Sequence, residues 1–128
     1  MIGISIFLIL TNFIVSYKGF NDRNFYERYE FSVEKVKLYR QYYRLVTSGF
    51  LHVNWMHLIF NMIALYFFAG TVEYYFGPLA FLLIYFSSMI GGDLLSLFIH
   101  RHDSGYSSVG ASGAVNGIIF AAIAVFPG

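Results

Sequence analysis

Four apolar segments constrain the fold of this chain more than any other feature of its sequence. They cover residues 2–16, 55–76, 79–99 and 112–126, and about 20 apolar residues suffice for a helix to cross a bilayer. Hydrophobic residues make up 58% of the chain and charged residues 12%, whereas a soluble domain carries roughly 25% charged residues. We therefore predict an all-α, polytopic transmembrane helical bundle that forms a single domain, residues 1–128.

The residues next to the first and second segments indicate whether the first is a signal peptide and where the second ends. Residues 2–16 are also short enough for a signal peptide, but no basic residues precede them and no cleavage site of small residues follows them. We therefore favour a first span. Gly77 and Pro78 favour a tight turn between the second and third segments.

Residues 17–48 differ sharply from the apolar segments. They contain seven of the eight basic residues and nine Phe or Tyr residues, and their apolar and aromatic positions recur every three to four residues. This pattern is typical of short amphipathic helices with aromatic rings at the depth of the lipid headgroups. We predict a structured interfacial loop here rather than an ordinary solvated one.

The stretch GASGAVNG, residues 110–117, places the hydroxyl of Ser112 among small residues at the start of the last apolar segment. Small residues allow a backbone or a substrate to approach closely. A serine becomes nucleophilic when a base and an oxyanion site are arranged around it. The alternative is packing between two helices, which the spacing Gly113-x-x-x-Gly117 also favours.

Two polar residues of the second segment favour a role for Ser112 as a nucleophile over a role in helix packing. His57 and Asn61 are four residues apart and share one helix face. Between the start of the second segment and the start of the last, the chain crosses the membrane twice, through the second and third segments. His57, Asn61 and Ser112 are therefore all expected about one turn below the same membrane surface. The imidazole and the amide are suitable donors to an oxyanion, together with the backbone N–H of Ser112. Hydrogen bonds to neighbouring helices are the alternative role.

Other polar residues near the apolar segments also need an explanation, because each ionisable group at membrane depth has an energetic cost. We expect His52 to anchor the interfacial loop, and Glu73, at the far end of its helix, to be structural. Asp93 and Ser96 are interpreted as packing against neighbours, with a functional role as the alternative for Asp93.

Several other chemistries lack the residues that they need. The chain contains no cysteine, and His52 and His57 lack the spacing and the glutamate of H-E-x-x-H metalloproteases. Asp93 has no partner Asp in another span for an aspartyl site, and G-A-S-G-A departs from the G-x-S-x-G elbow of serine hydrolases. We therefore expect no cofactor, no metal site and no nucleic-acid partner.

Taken together, these residues resemble the rhomboid family of intramembrane serine proteases. The resemblance rests on GASGAVNG around Ser112, on FLHVNWMHLIFNM over residues 50–62 and on Gly70-x-x-Glu73-x-x-x-Gly77. Tyr43-Arg44 is similar to the family's Trp-Arg motif. The order and separation of these pieces also match, and the resemblance covers essentially the whole chain.

The resemblance implies roles for individual residues. Ser112 corresponds to the nucleophile, and His57 and Asn61 correspond to the residues that bind the oxyanion with the Ser112 amide. Structural positions of the family correspond to Arg44, His52 and Glu73. Asn116 departs from the pattern, because an aromatic residue that stacks on the catalytic histidine often occupies that position.

The family's general base, a histidine on the sixth span, has no counterpart in the four spans of this sequence. We therefore interpret residues 1–128 as the N-terminal part of a longer enzyme and expect the chain alone to be inactive. His100 and His102 are the less favoured candidates for the base.

The function implied by the resemblance is that of an intramembrane serine endopeptidase that cleaves transmembrane segments of other membrane proteins. The partners are then a transmembrane protein substrate and the lipid bilayer. The alternatives are a catalytically inactive rhomboid-like protein that binds transmembrane segments, and a structural or transport bundle.

The implied location is a multi-pass protein of the cell (inner) membrane with an extracytoplasmic active-site mouth. The distribution of Lys and Arg favours the opposite orientation, because it places the loop of residues 17–48 inside the cell.

Overall fold

The structure is a computed structural model and describes residues 3–125. In chain order its elements are α1 (Gly3–Asn21), α2 (Arg23–Tyr29), β1 (Phe31–Ser32), α3 (Val33–Lys37), α4 (Arg44–Thr47), a 3-10 turn (Ser48–Phe50), α5 (Trp55–Ile99), β2 (Ser107–Ser108) and α6 (Ser112–Val125). The predicted all-α class is confirmed, since each of the two strands has only two residues. The predicted limits at residues 1, 2 and 126–128 lie outside the described residues.

Helix α1 is longer than the first predicted span. The sequence prediction ended that span at residue 16, whereas the helix continues to Asn21. The last turn of α1 is stabilised by an ion pair of Lys18 with Asp22, at 3.3 Å. Asp22 also caps α2 by accepting a hydrogen bond from the Phe25 N–H at 3.2 Å. Helix α1 therefore continues five residues beyond the predicted end of the first span, and residues 22–54, which follow it, are called the interfacial segment.

Helix α5 consists of two arms, residues 55–76 and 78–99, that meet at Gly77. Gly77 has φ 86° and ψ 164°, a conformation that glycine adopts without strain, and Pro78 cannot donate the next helical hydrogen bond. The chain reverses at this point, because Asp93 of the second arm lies 3.2 Å from Ser48, a few residues before the first arm begins. The predicted Gly77-Pro78 turn is thus present in the structure.

The interfacial segment and the loop before α6 are joined by a short antiparallel pairing. Phe31 lies opposite Ser108 and Ser32 opposite Ser107. The pairing is extended by a hydrogen bond from the Val33 N–H to the Tyr106 carbonyl, at 3.1 Å. This contact holds the interfacial segment against the end of the bundle at which α6 begins.

The second arm of α5 packs closely against α6 through small residues. A Cβ at Gly113 would lie 3.6 Å from the Ser88 carbonyl oxygen, and a Cβ at Gly117 would lie 2.5 Å from the Ser88 Cβ. Packing between helices, the alternative considered for the spacing of Gly113 and Gly117, therefore does occur here.

Apolar side chains occupy both the interior and the outer surface of the bundle. The core contains Leu58, Leu65, Phe81, Tyr85 and Ile118, all fully buried. The outer surface carries large exposed apolar residues such as Phe7, Phe67, Leu83 and Phe120. Helices α1 and α5 are long and apolar enough to cross a membrane, and α6 is a shorter apolar helix.

Candidate active site

Ser112 is the first residue of α6, and its side chain is exposed. It borders a cavity of about 270 Å³ whose lining also includes Asp93, Ser96, Ser108 and Asn116. The first N–H groups of a helix have no carbonyl partners within the helix, and they carry the positive end of its dipole. The start of α6 therefore combines an accessible hydroxyl with backbone donors suited to an anion.

The loop that leads into α6 is held by two residues of the interfacial region. The Gly110 N–H donates to the Ser48 carbonyl at 3.0 Å, and the Ala111 N–H donates to Nε2 of His52 at 3.3 Å. Gly110 itself has φ +129°, a backbone conformation that favours glycine. The position of Ser112 is thus fixed by contacts across a large separation in sequence.

His52 links Ser16 of α1 to the loop before α6, and its imidazole is neutral in this arrangement. Its Nδ1 lies 2.9 Å from the hydroxyl of Ser16, and that hydroxyl donates to the Phe50 carbonyl at 2.9 Å. The hydroxyl hydrogen is therefore used by Phe50, so Nδ1 of His52 donates to Ser16 and Nε2 accepts from Ala111. A protonated His52 would have no acceptor to offer Ala111.

The environment of His52 also opposes its protonation. The side chain is fully buried, and its ring centroid lies 4.9 Å from that of His57. Burial, and secondarily the charge of a protonated His57, lower the pKa of His52 to about 3.

This pKa predicts that the protein loses stability in mild acid. Because the folded pKa lies below the unfolded value of about 6.5, the stability that depends on neutral His52 is fully present above about pH 6.5 and falls as the pH decreases towards about 3. The loss is up to about 1.4 kcal/mol per pH unit. Thermal unfolding in detergent between pH 7.5 and 4.5 measures it.

His52→Gln should show a flatter dependence of unfolding temperature on pH, because its amide does not titrate but keeps a donor and an acceptor. His102→Gln, at an exposed loop position, is the matched control and should keep the wild-type slope. If the dependence of unfolding temperature on pH were unchanged in His52→Gln, the lowered pKa of His52 would be contradicted as its cause.

His57 lies against the same loop. A Cβ placed at Gly110 would lie 2.7 Å from Cε1 and 3.0 Å from Nε2 of His57, so the imidazole packs directly on this glycine. Nδ1 of His57 accepts a hydrogen bond from the Val53 N–H at 3.3 Å, which places the remaining proton of the neutral ring on Nε2. The ring therefore presents an N–H donor next to Gly110, two residues before Ser112.

Asn61 lies one helical turn further along α5. Its Nδ2 is buried and has no hydrogen-bond acceptor among residues 3–125, and an unpaired buried amide is costly and uncommon. Within the same residues, no hydrogen bond joins His57 or Asn61 to Ser112. The structure thus brings His57 to the loop before Ser112 and leaves Asn61 with a free donor, while their catalytic roles stay predictions.

Arg44 has the surroundings of a structural residue. Its side chain is buried and donates to the carbonyls of Glu27 and Glu30, at 2.9 and 2.7 Å, and to Oε1 of Gln41 at 2.9 Å. These bonds hold α2 and its end against α4, in agreement with the structural role implied by the resemblance.

Glu73 lies at the other end of the bundle, beside Gly3 and Ile4 of α1 and the Gly77-Pro78 turn. Its side chain is buried, and its Oε2 has no hydrogen-bond partner among the described residues. Glu73 is therefore remote in the fold from Ser112, which lies at the start of α6.

The two loop histidines differ in their surroundings. The ring of His100 stacks on Tyr106 with centroids 3.7 Å apart and an interplanar angle of 7°, and His102 is exposed. Neither forms a hydrogen bond with Ser112 in the described part of the chain.

Asp93 and Ser48, which the sequence did not assign to the site, lie close to Ser112 and Gly110. Asp93 lines the same cavity as Ser112, and Ser48 connects Asp93 to Gly110 through its hydroxyl and its carbonyl. An ionisable residue within an apolar segment was a signal for Asp93. Ser48 carried no local signal, because its importance arises only from contacts with distant residues.

A family model and several known proteins that are similar to this chain all point to the same family. A family model described as "Rhomboid domain" matches residues 39–128. The chain is 31% identical over 128 residues to "RHOMBOID-like protein 12, mitochondrial" of Arabidopsis thaliana. This match covers 88% of the chain and 38% of the relative.

Two bacterial relatives from Bacillus subtilis are similar over shorter stretches. "Putative rhomboid protease YdcA" is 37% identical over 78 residues, 61% of this chain and 38% of the relative. "Rhomboid protease GluP" is 39% identical over 85 residues, 66% of this chain and 16% of the relative. The matches thus span 38% or less of the length of these three relatives. Since the family model matches most of the sequence, the chain belongs to the rhomboid family.

Proposed function

We propose that this chain forms part of an intramembrane serine endopeptidase that cleaves transmembrane segments of other membrane proteins. The observation that carries the proposal is the contact of His57 with Gly110, two residues before Ser112, and two further features support it. Ser112 is accessible beside a cavity, His57 presents its Nε2–H next to Gly110, and Asn61 has a buried, unpaired amide donor. Two relatives whose names include "rhomboid protease" support the same reaction.

In the proposed reaction, Oγ of Ser112 attacks the scissile carbonyl carbon and gives up its proton to a base outside residues 3–125. The resulting oxyanion accepts hydrogen bonds from the Ser112 amide, from Nε2–H of His57 and from Nδ2 of Asn61. The base returns the proton to the leaving amine, which leaves an acyl-enzyme on Ser112. Water then hydrolyses this ester and frees the hydroxyl. None of these steps requires a metal or a cofactor.

The proposed enzyme spans the membrane four times within this chain, by α1, the two arms of α5, and α6. The interfacial segment and the start of α6 then share one surface, proposed to be extracytoplasmic, from which water reaches Ser112. Substrate helices with small or helix-weakening residues suit such a site, because a scissile peptide bond must leave its helix before a serine can reach it.

A fluorophosphonate probe tests the proposal, because it reacts with an activated serine. We expect the full-length membrane protein to be labelled in a lipid bilayer, with the adduct on the peptide that contains Ser112 by mass spectrometry. Residues 1–128 alone should not be labelled. Labelling of that fragment would indicate that His100 or His102 is the base. Absence of labelling of the folded full-length protein would contradict a protease and favour an inactive rhomboid-like protein that binds transmembrane segments.

A further inference from the structure

The cavity beside Ser112 carries a single formal charge. Its volume is about 270 Å³, and Ser48, Ser96, Tyr106 and Asn116 are among the polar residues that line it. Among residues 3–125, Asp93 is the only charged residue in this lining, and no Lys or Arg contributes to it. A nucleophile and an isolated carboxylate therefore border the same polar space.

The carboxylate of Asp93 is poorly satisfied by the described part of the chain. Its one hydrogen-bond partner there is Oγ of Ser48, at 3.2 Å. The single hydroxyl hydrogen of Ser48 also has a closer acceptor, the Arg44 carbonyl at 2.6 Å. The ion pairs among residues 3–125 join Lys18 to Asp22 and Arg23 to Glu27, so Asp93 has no cationic partner within that range.

An unpaired carboxylate within an apolar helix is costly, and pairing with a cation is one way to offset the cost. Because the cavity is shared with Ser112, a group that enters it from a bound peptide lies close to the scissile bond. A cavity of about 270 Å³ is also large enough for a long unbranched side chain.

We propose, on the basis of the proposed protease function, that this cavity is a substrate subsite for a basic side chain, Lys or Arg, that flanks the scissile bond. Asp93 is its specificity-determining residue and binds the cationic end of that side chain. Ser96 and Asn116 supply neutral acceptor oxygens for the remaining N–H groups of the cation. An acidic side chain at the same position is disfavoured by repulsion from Asp93.

Cleavage of a matched substrate series by the full-length protein in lipid vesicles tests the inference. The parent is a transmembrane peptide with alanine at the three positions on each side of its cleavage site. Each position is then replaced in turn by Lys, by Met as an uncharged side chain of similar length, and by Glu. We expect one position at which kcat/KM is at least about tenfold higher for Lys than for Met, and lowest for Glu.

Measuring the same substrate series on variants of the protein identifies the residue that is responsible for the preference for Lys. In Asp93→Asn, the ratio of kcat/KM for Lys to that for Met should fall to about one, and in Asp93→Lys the preference should change to Glu. Asp103→Asn, which removes a carboxylate from an exposed loop position, is the charge-matched control and should keep the wild-type ratio.

The outcomes distinguish this inference from the function on which it rests. Cleavage of the parent peptide without preference for Lys at any position, or a Lys preference that persists in Asp93→Asn, would overturn the subsite and leave the protease function intact. A uniform decrease for all substrates in Asp93→Asn would assign Asp93 a structural role instead. A wild-type protein that cleaves none of the peptides would overturn the protease function itself.

Discussion

Replacing Ser112 with alanine is expected to reduce cleavage of a transmembrane substrate by at least about a thousandfold. Alanine lacks the oxygen that forms the acyl-enzyme in the proposed mechanism, so only the proposed oxyanion donors would remain. The fold should be retained, because the Ser112 side chain is exposed and forms no hydrogen bond within residues 3–125. The rate in lipid vesicles and the unfolding temperature should be measured on the same preparation.

Ser87→Ala is the matched control for this variant. Ser87 is also exposed on a helix, and its hydroxyl donates only to the Ile84 carbonyl, at 3.4 Å. It lies outside the lining of the cavity, so its loss should leave the rate close to that of the wild type. Retention of activity in Ser112→Ala would remove the nucleophile from the proposed mechanism.

The second large effect is expected for Gly110→Ala, which we predict lowers kcat by about a hundredfold, because small misplacements near a reacting centre have effects of this size. The new Cβ would lie 2.7 Å from Cε1 of His57 and would occupy a residue with φ +129°. The imidazole must therefore move away from the loop, and the backbone before Ser112 is strained. The expected change is thus in the oxyanion site rather than in substrate affinity.

Kinetic measurements with the same transmembrane peptide separate these effects, since KM should change much less than kcat. Gly105→Ala is the control in the same loop, where a Cβ would make only an ordinary contact, at 3.6 Å from Oδ1 of Asp103. Equal losses in the two variants would show that general loop perturbation, and not the contact with His57, determines activity.

The contacts of Ser16 and Ser48 are examples of structure that local sequence patterns do not predict. The resemblance suggested that His52 is structural, but it did not identify the hydrogen-bonded path from Ser16 through His52 to Ala111. Nor did it identify the contact of Ser48 with Asp93. These pairs are separated by 36 to 59 residues, and single-sequence periodicity contains no information on such pairings.

Features of the fold that depend on local chemistry can be predicted from the amino-acid sequence. Its apolar segments specify the helices, Gly77 and Pro78 specify the break in α5, and the spacing of His57 and Asn61 places them on one helix face. Three other features depend on contacts in the folded chain: the length of α1, the groups that hold the loop before Ser112, and the position of Asp93 at the same cavity. The physical reason is that helix formation depends on neighbours within a turn or two, whereas a site is completed by hydrogen bonds and close packing between segments that only the folded chain brings together.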